Sequence, residues 1–182
     1  MTRKMLLSLA EARLSHWMEQ QGGKAVVAEM RCAVVESDVE RVSRVISDDG
    51  DWRASLLALG SGAELPIHDH PATRGVLLIG EGALRVRHFD VVEGHRGKRT
   101  AMLRNRGERL VTTGGHDWFG AKRNNLHALE SMAEFTLVFS VRQHLSSPKF
   151  PRSVYALIRN PNPGEPVGVA LVKPMDETPS AP

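Results

Sequence analysis

A chain of 182 residues with 41% hydrophobic and 25% charged side chains has the balance of a globular protein, which excludes a disordered, fibrous or collagen-like one. It suits a single domain over 1–182, long enough to bury about two thirds of its unfolded surface. The net charge of +3 is modest, and the single cysteine, Cys32, excludes an internal disulfide.

MTRKMLLSLAEARLSHWMEQ begins basic and then apolar, but Glu11, Arg13 and Glu19 interrupt it before the apolar core of a signal peptide can form. Leu7, Ala10, Leu14 and Trp17 fall at helical spacing and predict an amphipathic helix. No run approaches the roughly 18 apolar residues of a membrane span, so the expected compartment is the cytoplasm. Cys32 lies in AVVAEMRCAVV, where a buried, inert thiol is expected.

After a break at Gly22 and Gly23, SDVERVSRVIS carries Val39, Val42, Val45 and Ile46 on one helical face, with Ser37 or Asp38 as N-cap. Helices are thus expected over 1–50, ended by DDGD. From Trp52 the period changes. ASLLALG, GVLLIG, ALRVRHF, TAMLRN, RLVTT, LHALES, FTLVFSVR, SVYALIR and VGVALVK follow one another as short β-type runs. No long helical segment separates them, which argues against parallel winding and for a mainly β, mostly antiparallel jelly roll over 52–174. The Pro-rich end, 175–182, is expected to pack weakly. Arg85, Arg87, Arg96, Lys98, Arg99, Arg104 and Arg106 crowd one region with His88 and His95. They have few aromatic neighbours for base stacking, so a hairpin's wet face is expected there and not a nucleic-acid surface.

The stretch PIHDHPATRGVLLIGEGALRV carries the chemistry. In a strand, residues two apart point to one face, so His68 and His70 project side by side. His127, in RNNLHALES, begins a later β-type run 57 residues on. Three neutral imidazoles would cap one face of a metal ion and leave its other positions open. From spacing alone, two polar strand residues and a satisfied core histidine remain the alternative.

HDHPATRGVLLIGEGALRV resembles the first motif of the cupin superfamily, an HxH strand followed by an apolar strand and a glycine turn, here Gly80-Glu-Gly82. NNLHALE resembles the second, which supplies the last histidine. Typical cupins have a ligating Glu four residues after the second His. Arg74 stands there, and a guanidinium has no lone pair to offer a metal. With HDH retained and that carboxylate lost, the chain is similar to the cysteine dioxygenase family of thiol dioxygenases. The resemblance runs from about Arg44 to Arg142 and implies a cupin double-stranded β-helix and Fe(II) held by His68, His70 and His127. It further implies oxidation of a small thiol, cysteine or a related mercapto acid, to its sulfinate with O2.

The resemblance also implies a substrate-carboxylate contact at Arg44, with Arg41 as the alternative. Gly75 stands where animal members have the Cys of a thioether crosslink, as in bacterial members without one. The family's Ser-His-Tyr relay should fall in FTLVFSVRQH, but Ser140 and Arg142 stand where His and Tyr are expected. Arg74 is expected to point to solvent, Trp118 and Phe119 to pack beside a glycine turn, and His116 or His144 to be candidate outer groups. His16, His88 and His95 read as surface. A non-catalytic cupin binding or sensor module, or a cupin enzyme with another metal and reaction, also suits these motifs. The oligomeric state has no signal in the sequence.

Overall fold

The N-terminal periodicity forms helix α1, Arg3–Glu19, whose N-cap Thr2 accepts from the Met5 N–H at 3.2 Å. The computed structural model describes residues 2–20, 22–37, 39–94, 100–120, 125–146, 153–159 and 167–174. Asp38, His95, Arg96, Lys98, Arg99 and the 175–182 tail, each named in the sequence reading, lie outside them. Gly22, at φ 113°, makes the break, and α2 spans Gly23–Val35. Met30 and Val34 bury one face of α2. Cys32, two residues from each, points the other way and is exposed, its Sγ 3.6 Å from Glu36 Oε1. The expectation of a buried thiol is therefore corrected: the apolar stretch is helical, and a helix buries only one stripe of it.

The expectation of helix up to residue 50 is also corrected. Arg41–Asp48 is strand β1, with Val42, Arg44 and Ile46 half-buried and the residues between them exposed. That alternation has period 2, β-branched residues favour it, and pairing with the next strand supplies the hydrogen bonds a helix would otherwise make.

The further strands are β2 Trp52–Gly60, β3 Glu64–Asp69, β4 Thr73–Glu81, β5 Ala83–Glu93, β6 Thr100–Thr112, β7 His116–Phe119, β8 Leu126–Ser131, β9 Phe135–His144, β10 Ser153–Arg159 and β11 Val167–Pro174. TAMLRN and RLVTT, expected as two runs, are one strand, β6; it pairs with β5 from Met102 to Thr112, with register shifts at His88/Phe89 and Val91/Glu93 and with Gly107 at φ 115°. Among the described residues all strand pairs are antiparallel, and they form a five-stranded sheet, β1-β2-β9-β4-β7, and a closed barrel, β10-β11-β6-β5-β8-β3. The chain adopts the mainly β, double-stranded β-helix with helices before it.

Three apolar layers follow from side-chain alternation. Ala54, Leu56, Ala58, Val76, Leu78, Phe139 and Val141 on one face of the open sheet pack against Leu6, Ala10, Met30 and Val34 of the helices. The other face sets Leu77, Ile79, Phe119 and Val138 against Leu84, Val86 and Leu129 of the barrel wall. A third cluster, Ile67, Phe89, Leu103, Leu126, Tyr155 and Ala170 among it, fills the barrel. The Gly80-Glu-Gly82 turn is forced by contact: a Cβ on Gly82, at φ 82°, would lie 2.2 Å from the Phe135 carbonyl oxygen. Among the described residues no helix is long and apolar enough to cross a membrane.

Candidate metal centre

β3 runs along the wall of the barrel, so its residues alternate between the barrel interior and the space between the sheets. Asp69 points inward. Fully buried, it accepts from the Ser153 N–H at 2.8 Å and from the Tyr155 hydroxyl at 3.2 Å, which ties β3 to β10. His68 and, just past the strand end, His70 point between the sheets. β8 pairs with β3 so that His127 stands directly opposite His68. The two motifs are joined again where the His70 N–H donates to Asn125 Oδ1 at 3.0 Å.

These placements bring all three expected histidines together. His127 Nε2 lies 3.1 Å from His68 Nε2 and 3.2 Å from His70 Nε2. The three ligand atoms lie within 4.8 Å of one another, and every ring is buried. Two nitrogens at right angles about 2.1 Å from a shared ion stand about 3 Å apart, so the spacings of His127 from His68 and from His70 suit neighbouring ligands of one ion. His68 Nδ1 is 2.9 Å from the Pro66 carbonyl oxygen; donating there holds the ring and leaves Nε2 as the lone-pair nitrogen. Phe119 stacks on His70 with ring centroids 4.3 Å apart. Among the described residues no carboxylate belongs to the cluster.

Other expectations change with the side of the sheet on which a residue falls. Arg74 follows Val76 and Leu78 onto the helix-facing side and donates to Gln143 Oε1 from Nε at 2.8 Å and from Nη2 at 2.6 Å. It does not face the histidines, and its bond to Gln143 replaces the expected solvent exposure. Trp118 shares that helix-facing side and contacts His116, ring to ring at 5.4 Å, so neither lines the centre. Phe119, one residue on, does. His144 ends β9, its N–H donating to the Asp51 carbonyl oxygen at 2.7 Å.

The structure does not bring Arg44 to the histidines. It pairs in register with Leu56, whose side chain belongs to the helix-side core, and its Nη2 meets Glu29 Oε1 of α2 at 2.8 Å. Arg41 reaches the Glu64 carbonyl oxygen, at the end of β3 away from His68. Arg44→Ala is therefore expected to leave metal retention at the parent value. It should cost less than about 1 kcal/mol, as loss of a half-exposed ion pair does; a marked loss of bound metal in the folded variant would contradict this placement.

His88, read as surface, is buried. On β5 it continues the alternation of Leu84 and Val86 and faces the space between the sheets, in register with His127 and 6.2 Å from it between ring centroids. Its Nε2 is 2.9 Å from Asp117 Oδ2, close enough for an ion pair but not aligned as a hydrogen bond, and Arg109 Nη1 approaches the same carboxylate at 3.3 Å. The signal was in the sequence: LRVRH alternates, and its buried parity includes His88. Arg85, Arg87 and Arg106 pair with Glu130, Glu64 and Asp90, as a hairpin's charged face does.

No protein-family model matches the chain, and no curated protein matches it in sequence. Solved structures match it at low identity, several of them described as cupin or double-stranded β-helix domains. They include the cupin domain of Cnp3 from Schizosaccharomyces pombe, at 11% identity and a TM-score of 0.44 over 58% of this chain and 66% of that one. A cupin superfamily protein from Desulfitobacterium hafniense matches at 11% identity and 0.43 over 57% and 76%. A recombinant oxalate oxidase in complex with glycolate matches at 12% and 0.46 over 59% and 52%. The chain thus spans just under two thirds of the first and about half of the last.

Proposed function

We propose that this chain is a single cupin domain that works as a non-haem iron thiol dioxygenase, oxidising a small thiol to its sulfinate. The observation that carries the reading is the ligand set: three buried imidazoles with converging Nε2 atoms and no carboxylate among them. Imidazole suits iron, and an open facial site suits the oxygenases that use it. His68, His70 and His127 would hold Fe(II). When bound, the metal supplies the positive charge that favours a thiolate partner, and the dioxygen chemistry by which RS⁻ and O2 give RSO2⁻.

The chain's own residues prepare the site. The Pro66 carbonyl fixes the His68 ring through Nδ1, so that its Nε2 needs no rearrangement to bind. Asn125 holds the His70 backbone, and the Phe119 ring covers the His70 imidazole and keeps water from that side. Ser140 and Arg142 occupy the stretch of the family's relay; a hydroxyl and a fixed cation there place a hydrogen-bond donor and positive charge where the family has His and Tyr, which suits an anionic substrate.

Anaerobic loading with Fe(II), then oxygen uptake against cysteine, 3-mercaptopropionate and cysteamine, tests this. One O2 consumed per thiol, with the sulfinate as product, is the expected result. Bound iron without thiol-dependent oxygen uptake would leave a cupin that binds small molecules without turning them over.

A further inference from the structure

Strand β3 changes phase on its way to the histidines. Leu65 packs between sheet and barrel with Leu84, Val86 and Leu129, whereas Ile67, two residues on, packs inside the barrel with Phe89 and Tyr155. In a regular strand these two would share a face. The register against β8 shifts between Leu65 and His68, where Pro66 and Ile67 together stand against Ala128, the two-against-one count of a β-bulge. This one extra residue places His68 and His70 under the open sheet, and Ile67 and Asp69 in the barrel. A slip that undid it would exchange the two sets.

Little of the backbone ladder holds that phase. Among the described residues β10 adds two register pairs on the other side of β3, Tyr155 with Ile67 and Val154 with His68. The next pair would set Ser153 opposite Asp69, and there a side chain takes over: Asp69 Oδ1 accepts from the Ser153 N–H at 2.8 Å and Oδ2 from the Tyr155 hydroxyl at 3.2 Å. Both bonds exist only while Asp69 faces into the barrel. Asp69 is 0% exposed, and its partner Tyr155 belongs to the apolar cluster that fills the barrel, a place where a polar group is costly to bury. The best-attested use of such a buried group is to fix register. Beyond Asp69 the chain turns. The His70 carbonyl accepts from the Thr73 N–H at 3.3 Å and from Thr73 Oγ1 at 3.0 Å, and Ala72 stands at φ 52° with its carbonyl accepting from the Leu145 N–H at 2.8 Å. A left-handed alanine persists only where its surroundings over-determine it, so the place of His70 follows from where β3 ends.

We propose that Asp69, held by Tyr155 and the Ser153 amide, is a positioning residue for the metal centre: it locks the shifted phase of β3, so that His68 and His70 face His127. This role rests on metal binding by the three histidines, proposed above, and on no step of the thiol chemistry.

The test titrates the full chain and the variants Asp69→Leu, Asp69→Asn and Tyr155→Phe with Co(II), whose visible absorption bands report the arrangement of its ligands, and follows amide exchange of the metal-free chains by NMR. Asp69→Leu keeps the volume but accepts no hydrogen bond; it should bind Co(II) about tenfold or more weakly than the parent, with altered bands. Tyr155→Phe should show the same change in smaller measure. Asp69→Asn keeps an acceptor oxygen for the Ser153 N–H and should restore most of the affinity. Without metal, the amides of β3 and β10 in Asp69→Leu should exchange roughly tenfold faster while those of β2 and β9 keep parent rates. Should Asp69→Leu not fold, Tyr155→Phe and Asp69→Asn carry the same comparison. Parent Co(II) affinity and bands in the folded variants overturn the proposal, and so does faster exchange spread evenly over all strands, the mark of a fold that is merely destabilised. A parent chain that binds no Co(II) overturns the metal reading and this role together, whereas a parent that binds it and variants that match it remove only the role of Asp69.

Discussion

Replacing His127 by alanine is expected to lower iron affinity by more than about 100-fold, because the loss of a mere supporting partner already costs 10 to 100-fold at a metal site. His127 has the largest role of the three: its Nε2 is within 3.2 Å of both other ligand nitrogens, and its strand holds the row that places His68 and His88 on either side. Truncating a ring that is 1% exposed also leaves a buried gap. His127→Gln, closer in volume, therefore separates lost ligation from lost packing. Iron content after dialysis, read beside a thermal melt, is the measurement. Parent iron stoichiometry in a folded His127→Ala variant would remove this residue from the centre.

The second large effect is expected from the smallest change. An alanine at Gly75 would put its Cβ 2.2 Å from Phe119 Cζ and 2.6 Å from the Val141 carbonyl oxygen. The carbonyl belongs to the ladder between β4 and β9 and cannot yield without shifting it. The Phe119 ring is 3% exposed and lies against His70, so it yields only by pushing on that imidazole. Overpacking of this kind costs about 1–3 kcal/mol, or about 2–4 °C of Tm for each kcal/mol in a chain of this size. Iron affinity should fall together with stability, and the double variant Gly75→Ala with Phe119→Leu should recover part of both. A Gly75→Ala variant with the parent denaturation midpoint would mean that Phe119 does not occupy the space above this glycine.

Much of the architecture was legible because alternation is local. The runs from ASLLALG to VGVALVK form strands, and the pair His68 and His70 faces one side because covalent geometry sends alternate side chains to opposite faces. The same rule, applied further, would have found two missed features. Leu84, Val86 and His88 share a parity; so do Val42, Arg44 and Ile46. In each case polar neighbours masked the alternation. His88 was read with the arginines around it, and Arg41–Asp48 was read as helix because Val39, Val42, Val45 and Ile46 also satisfy a helical spacing.

Arg44 marks the limit of sequence distance as evidence. Its position before the first β-run matched the family's clamp, yet it falls on the helix side of the open sheet and meets Glu29. Which face of a sheet becomes the inside depends on what packs on it, and that is decided by helices and strands remote in sequence.

By itself the sequence determined the class of fold, the N-terminal helix, the break at Gly22 and the direction of the HDH pair, all of which rest on interactions within a few residues. Only the tertiary structure decided that His127 stands opposite His68 and that Phe119 fills the space over Gly75. Register between strands remote in sequence comes from hydrogen bonding and packing among all of them at once, and a one-residue slip would turn every side chain to the wrong face.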